Sequence, residues 1–267
     1  MASVTAVAAA FEGQRPFIRL QNVRKVYRSG GEEFVAVSDV TMSVSKGELV
    51  SLVGPSGCGK TTVLKILADL HRHDGGTVEI GDTEHPFTPG RDVGMVFQQP
   101  LLLKWRNILD NVLLPAEIVG LPMKAARERA MDLLKLVGLE GFEKSRPYEL
   151  SGGMQQRAAI ARALVHDPKM VLMDEPFGAL DALTRERMNL ELLRIWQESG
   201  KTILFVTHSI QEAVLMGSHC AVLTSGPARM AAYFPIDLPY PRRLDMRQSP
   251  EFGAYARRIY ELLGVES

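Results

Sequence analysis

The octapeptide GPSGCGKT, Gly54 to Thr61, constrains this chain more than any other stretch of it. It follows ELVSLVG (Glu48–Gly54), which is short and almost wholly apolar, as a strand buried on both faces should be. It runs into KTTVLKILADL (Lys60–Leu70), which reads as a helix. A strand, a glycine-rich turn and a helix with the pattern Gly-x4-Gly-Lys-Thr make a phosphate-binding loop. Glycines let backbone N–H groups curl around phosphate oxygens with no Cβ in the way. The helix behind them adds the partial positive charge of its N-terminus. The candidate contacts are Gly54, Pro55, Ser56, Gly57, Cys58, Gly59, Lys60, Thr61 and Thr62. In such a loop Lys60 reaches the β- and γ-phosphates and the Thr61 hydroxyl ligates Mg²⁺. Thr62 can add a hydroxyl to the α-phosphate. Cys58 is read as a small residue that packs rather than a redox centre.

The bulk numbers limit what else this chain can be. Its 267 residues are 46% hydrophobic and 23% charged, enough for one large domain or a domain with a sizeable insertion. Lysine plus arginine equals aspartate plus glutamate at 31 each, a balance that argues against a nucleic-acid partner. Two cysteines, Cys58 and Cys220, make no disulfide framework and suit a reducing compartment. No apolar run approaches the roughly 18 residues that span a bilayer, so any membrane role needs a partner. MASVTAVAAAFEGQRP at the start lacks a basic residue before its apolar run and reads poorly as a signal peptide. Residues 1–15 are expected to be a flexible extension.

Elsewhere the pattern alternates. FIRLQNVRKVYRS and FVAVSDVTMSVSKGE have the two-residue period of antiparallel strands, with SGGEE between them. GGTVEIGD, DVGMVFQQ, PKMVLMDEP and KTILFVTHS each hold a further strand, and DALTRERMNLELLRIWQESG is a long amphipathic helix. In LPMKAARERAMDLLKLVGLEGF, Met123, Ala126, Ala130, Leu133, Leu134 and Val137 fall at helical spacing, and Gly138 is placed as a C-terminal cap. Strands alternating with helices imply a parallel α/β core. The expected fold class is α/β, a P-loop NTPase core with an antiparallel β subdomain and an inserted α-helical subdomain at about 100–165. The main domain is expected over 16–240, with a short helical tail at 241–267.

Three buried strands end in chemistry. MVLMDE closes on Asp174 and Glu175, whose side chains leave the strand end in different directions. Asp174 is the candidate for holding Mg²⁺ and Glu175 for accepting a proton from an attacking water. VTH closes on His208, and GMVFQ on Gln98, whose oxygen can ligate Mg²⁺. Taken alone, a lone histidine such as His208 is more often structural, and Gln98 could equally be a surface residue. A second anion-binding design lies about ninety residues after the first, in LSGGMQQRAAIARALVHDP (Leu150–Pro168). Ser151 stands where a helix N-cap belongs, and Gly152 and Gly153 open the backbone to close approach.

In this order and spacing the motifs resemble the ATP-binding subunits of ABC transporters. GPSGCGKTT resembles the Walker A of that family, FQ with Gln98 its Q-loop, and LSGGMQQR its signature. VLMDEP resembles the Walker B with its catalytic glutamate, ALD ending at Asp181 the D-loop, and THS the switch histidine. The resemblance implies an ATPase using ATP and Mg²⁺, with Glu175, His208 and Lys60 as catalytic residues and Thr61, Gln98 and Asp174 around the metal. It implies that Tyr27, with Phe17 and Phe34 as rivals, stacks on adenine. It implies that Ser151, Gly152, Gly153, Gln156 and Asp181 reach the nucleotide of a second copy of the chain, so that two chains sandwich two ATP molecules. The remaining partners implied are transmembrane permease subunits and, indirectly, a solute-binding protein. The place implied is the cytoplasmic face of the inner membrane. Leu102, Leu103 and Trp105 are the candidates for meeting the permease.

FQQPLLLKWRNILDNVLLPAEIVGLP and the tail PIDLPYPRR resemble the nitrate/sulfonate/taurine importer group, although Lys104 stands where proline is usual there. The alternatives are another membrane ABC system, for export or lipid extraction, and a soluble ABC ATPase. The short spacing between the first and second phosphate motifs disfavours the soluble one.

Overall fold

The computed structural model describes residues 16–81 and 87–264, so the expectation for residues 1–15 lies outside the described residues. In chain order its strands and helices are β1 (Ile18–Ser29), β2 (Glu32–Val44), β3 (Leu49–Val53), α1 (Lys60–Leu67), β4 (Gly75–Ile80), α2 (Pro89–Asp92) and β5 (Val93–Val96). There follow α3 (Ile108–Ile118), α4 (Met123–Leu136), α5 (Gly152–Leu164), β6 (Met170–Asp174), α6 (Ala182–Ser199) and β7 (Thr202–Thr207). The chain closes with α7 (Ile210–Met216), β8 (His219–Leu223), β9 (Ala228–Pro235) and α8 (Pro250–Leu262). These elements fall into two compact units, one drawn from residues 1–87 and 205–267 and the other from 88–204.

The first unit holds a sheet with strand order β4-β1-β2-β9-β8-β3. β1 pairs antiparallel with β2 and with β4, whereas β3 and β8 run parallel. The β1–β2 reversal uses Gly30 and Gly31 at φ 60° and 87°. Two successive left-handed residues give the turn whose twist matches a hairpin. All five residues of β3 are buried. Behind it α7 is tied down by Arg242, itself buried, which donates from Nη1 to the carbonyls of Val214, Leu215 and Gly217 at the end of that helix. Its Nη2 reaches Ile236 and Leu238. A guanidinium therefore closes the helix C-terminus with charge-assisted hydrogen bonds.

In the second unit β5 and β6 pair parallel, with Met95 opposite Leu172. α5 lies close against β5, because a Cβ at Gly94 would come 2.2 Å from the Ala163 carbonyl oxygen. Asn107 caps α3 by accepting from Asp110 N–H at 2.7 Å, and Gly138, at φ 65°, follows α4 with its N–H on the Lys135 carbonyl. Asp181 caps α6, and Gly200, at φ 61°, ends it.

Candidate nucleotide site

The loop between β3 and α1 is shaped by contacts that only glycine permits. Gly59 has φ 115°, and a Cβ there would sit 2.6 Å from the Ala36 carbonyl oxygen and 2.9 Å from the Ala228 Cβ. Gly57 is also left-handed, at φ 74°. At Gly54 a Cβ would meet the Leu223 oxygen at 2.8 Å and the Cys58 Sγ at 2.9 Å, so Cys58 packs into the base of the loop as a small buried residue. Lys60 is only 5% exposed, yet its Nζ donates to the carbonyls of Gly54 at 2.8 Å and Pro55 at 2.9 Å. The ammonium is thus held over its own loop. Ser56, Gly57 and Thr61 are exposed, and Pro55 and Thr62 are half-buried.

In the same unit Tyr27 is half-buried on β1, edge-on to His71 with ring centroids 5.6 Å apart and the Lys25 Nζ 5.6 Å from its centroid. Its cross-strand neighbour is Phe34, which is exposed. Phe17 is in the core, which removes it as a rival for a ligand-facing ring. His208 is exposed in the short link between β7 and α7.

The second unit carries the remaining candidates, in two groups. Glu175 follows β6 with φ 45°, a left-handed conformation that is costly for a residue with a Cβ. The turn closes with the Gly178 N–H on the Glu175 carbonyl at 3.0 Å. Gln98 packs on this turn, since a Cβ at Gly178 would lie 3.0 Å from the Gln98 Nε2. Arg185, which the sequence gave no reason to single out, holds the turn by donating to the carbonyls of Phe177, Gly178 and Leu180.

The other group lies at the start of α5. Ser151 Oγ accepts the Met154 N–H at 3.3 Å, as an N-cap should. Ser151 and Gly152 are exposed, and Gly153 faces α6, where its Cβ would sit 3.1 Å from the Thr184 Cγ2. The Asp181 carboxylate accepts the Thr184 N–H at 3.0 Å. That backbone N–H holds its pKa below the ordinary carboxylate value. Asp181 and the signature glycines therefore meet at the paired starts of α5 and α6.

Two sets of expected contact residues have partners within the chain. Gln156 is buried, and its Nε2 donates to the Phe97 carbonyl at 3.0 Å. Leu102 and Leu103 are half-buried, whereas Trp105 is 73% exposed and Leu101 and Ile118 are exposed beside it in sequence or on α3. The cause is Asn111, fully buried, whose side chain accepts from the Leu103 N–H at 2.6 Å and donates to the carbonyls of Leu103, Arg106 and Asn107. It folds that stretch back on α3.

A lysine clamped at the mouth of a glycine loop, a strand ending in paired acids and a glutamate held in a left-handed turn are the parts of a P-loop nucleoside triphosphatase. Residues 37–178 match the ABC transporter family, and the chain belongs to it as an ATPase subunit. It is 46% identical over 249 residues to an uncharacterized ABC transporter ATP-binding protein of Methanocaldococcus jannaschii, covering 93% of this chain and 92% of that one. It is 44% identical over 202 residues to the taurine import ATP-binding protein of Escherichia coli K12, covering 76% and 79%. Among solved structures, the dimeric post-hydrolysis state of an ATP-binding cassette bound to ADP and phosphate superposes with a TM-score of 0.71 at 34% identity. It covers 83% of this chain and 100% of that one.

Proposed function

We propose that two copies of this chain close on two ATP molecules and drive a permease that imports a small anion such as nitrate, a sulfonate or taurine. The observation that carries the two-chain reading is the start of α5. It is capped, glycine-opened and exposed at Ser151 and Gly152, a helix N-terminus built for an anion. Its own chain already has Lys60 and the Gly54–Thr61 loop for ATP, so the second anion site serves the ATP of the other copy. The importer reading is supported by the taurine import relative of Escherichia coli.

In this reading the Gly54–Thr62 loop and Lys60 bind the phosphates, Tyr27 stacks on adenine and Glu175 accepts the proton of the attacking water. His208 contacts the γ-phosphate. Thr61, Asp174 and Gln98 offer only oxygen donors to the metal, which suits Mg²⁺. Among the described residues no cluster of three His, Cys, Asp or Glu side chains could hold a metal by itself. Magnesium bound by few protein oxygens relies on substrate phosphates for the rest, so these three residues would hold it together with the phosphates of ATP. The bound Mg²⁺ supplies charge neutralisation on the β- and γ-phosphates. Residues 16–240 form the ATPase domain, with 100–165 its helical insertion and 241–267 its tail. The permease meets the apolar surface of Trp105, Leu101 and Ile118. The chain works at the cytoplasmic face of the inner membrane.

The Glu175→Gln variant tests the core of this. It should bind ATP as the parent does, fail to hydrolyse it, and run as a dimer on gel filtration only when ATP is present. Hydrolysis at the parent rate would remove Glu175 from its role. The substrate class is tested by uptake of labelled taurine and nitrate in cells lacking the chain, where loss of neither would remove the importer assignment.

A further inference from the structure

We propose that Glu212 is a positioning residue for His208, acting through the hydroxyl of Thr207. The inference rests on the reading of His208 as a γ-phosphate contact. His208 is exposed, and a side chain that must meet a phosphate oxygen from a link between strand and helix needs its backbone held on both sides. The residues around it supply that hold. Thr207, the last residue of β7, is buried, and its hydroxyl donates to Glu212 Oε2 at 2.5 Å. The same oxygen of Thr207 accepts the Ser209 N–H at 3.0 Å. Ser209 Oγ in turn accepts the Glu212 N–H at 3.3 Å, and the Ser209 carbonyl accepts the Ala213 N–H at 3.0 Å.

The residue before His208 and the residue after it are therefore joined in one loop of hydrogen bonds that returns to Glu212. In a common helix start of this kind the acid three residues into the helix reaches back to the N-cap N–H. Here the Thr207 hydroxyl is interposed: it accepts the N-cap N–H itself and donates its own O–H to the carboxylate. The acid is thereby coupled to the strand end as well as to the helix, and the link bearing His208 is fixed from both. Glu212 is itself buried on α7, and burying a carboxylate oxygen to fill a cap is costly where a solvated one would serve. The cost is consistent with a geometry that has to be rigid. Arg242 closes the other end of α7, so the whole helix is anchored behind the link.

The test is steady-state ATP turnover by the full chain carrying Glu212→Ala, Glu212→Gln, His208→Ala and the double variant Glu212→Ala/His208→Ala. Misplacing a group that meets the reacting phosphate costs up to about 100-fold. Glu212→Ala should lower kcat by roughly ten- to one-hundred-fold with the KM for ATP within about three-fold. Glu212→Gln, whose amide oxygen can still accept from Thr207, should recover most of that loss. In the His208→Ala background Glu212→Ala should cost nothing more. A loss that multiplies in the double variant, or a Glu212→Ala enzyme with the parent kcat, overturns the inference. A His208→Ala enzyme with the parent kcat instead overturns the role of His208 itself. If Glu212→Ala does not fold, Thr207→Val and Thr207→Ser answer in its place. Valine keeps the shape without the hydroxyl and should lower kcat, serine keeps the hydroxyl and should not, and equal kcat for the two sinks the proposal.

Discussion

Gln156 donates its side-chain N–H to the carbonyl of Phe97, 3.0 Å away, and Phe97 is the residue before Gln98. The same helix carries Ser151 at its start and, further on, Arg162, whose guanidinium donates to the carbonyls of Pro100 and Leu101 on the other side of Gln98. One helix of 13 residues thus ties the signature serine to both flanks of the Gln98 segment. A helix that long is a stiff rod of about 20 Å. Movement at one end is therefore carried to the other without an intermediate hinge.

Gln156→Leu should expose what this bond contributes. The half-buried Phe97 carbonyl would lose its donor, which costs about 1 kcal/mol. Urea unfolding should show that loss. ATP binding by a single chain should be unchanged, while turnover falls because the backbone bearing Gln98 is less firmly set. Unchanged stability would mean that the bond is replaced from elsewhere.

Lys60 is preorganised. Its ammonium is fixed by two carbonyls of the loop it serves, so little side-chain entropy remains to be lost when phosphate binds. Charge-assisted hydrogen bonds contribute about 1.5–3 kcal/mol. Lys60→Ala should therefore weaken ATP binding by a single chain by roughly ten- to one-hundred-fold, read by calorimetry. An affinity within two-fold of the parent would show that the backbone N–H groups alone hold the phosphates.

What the sequence made legible follows from how locally each feature is encoded. The Gly54–Thr61 loop is a contiguous run whose glycines answer to positive φ and close approach, so pattern and structure coincide. The cap at Ser151 and the glycine after α4 are local in the same way. For Gln156 a motif match assigns the residue to a segment and not to a face. Its face was nonetheless available: Gln156, Ala159, Ile160 and Ala163 are all buried and fall at helical spacing on one side of α5. For Glu212 the signal was the Ser209-x-x-Glu212 helix start, which predicts a cap although not the part of Thr207 in it. Arg242 and Asn111 left no such trace. Their partners are backbone carbonyls and N–H groups set by tertiary structure, which no spacing of residue types records.

His166 gives the chain a defined pH dependence. Its Nε2 lies 3.1 Å from the Val93 carbonyl, which only accepts, so that nitrogen carries the proton and Nδ1 is buried without a partner. Burial, aided by the nearby cations Arg129 and Lys201, pushes its pKa below the ordinary 6.5, against the Val93 hydrogen bond and Asp167. With the folded value lower than the unfolded one, the unfolded chain takes up the proton first as pH falls. The contribution of His166 is therefore complete above about pH 6.5 and declines below it, towards the folded pKa. Urea unfolding of the parent and of His166→Gln, compared at pH 7.5 and pH 5.5, should show the parent losing more stability than the variant. Parallel losses would mean that His166 protonates equally in both states.

The start of α5 separates capping from ligand binding, because one substitution moves them in opposite directions. Ser151→Ala removes the acceptor for the Met154 N–H and should cost about 1 kcal/mol in stability. Ser151→Asp restores an acceptor, and its negative charge also suits a helix N-terminus, so the folded chain should be at least as stable as the parent. The same charge faces the position assigned to the γ-phosphate of a second chain, where like charges repel. In a Glu175→Gln background, both variants should bind ATP as single chains. Only Ser151→Asp should combine parent stability with loss of the ATP-dependent dimer on gel filtration. A Ser151→Asp chain that still dimerises with ATP at the parent concentration would show that the capped helix start is structural and that the second chain is met elsewhere.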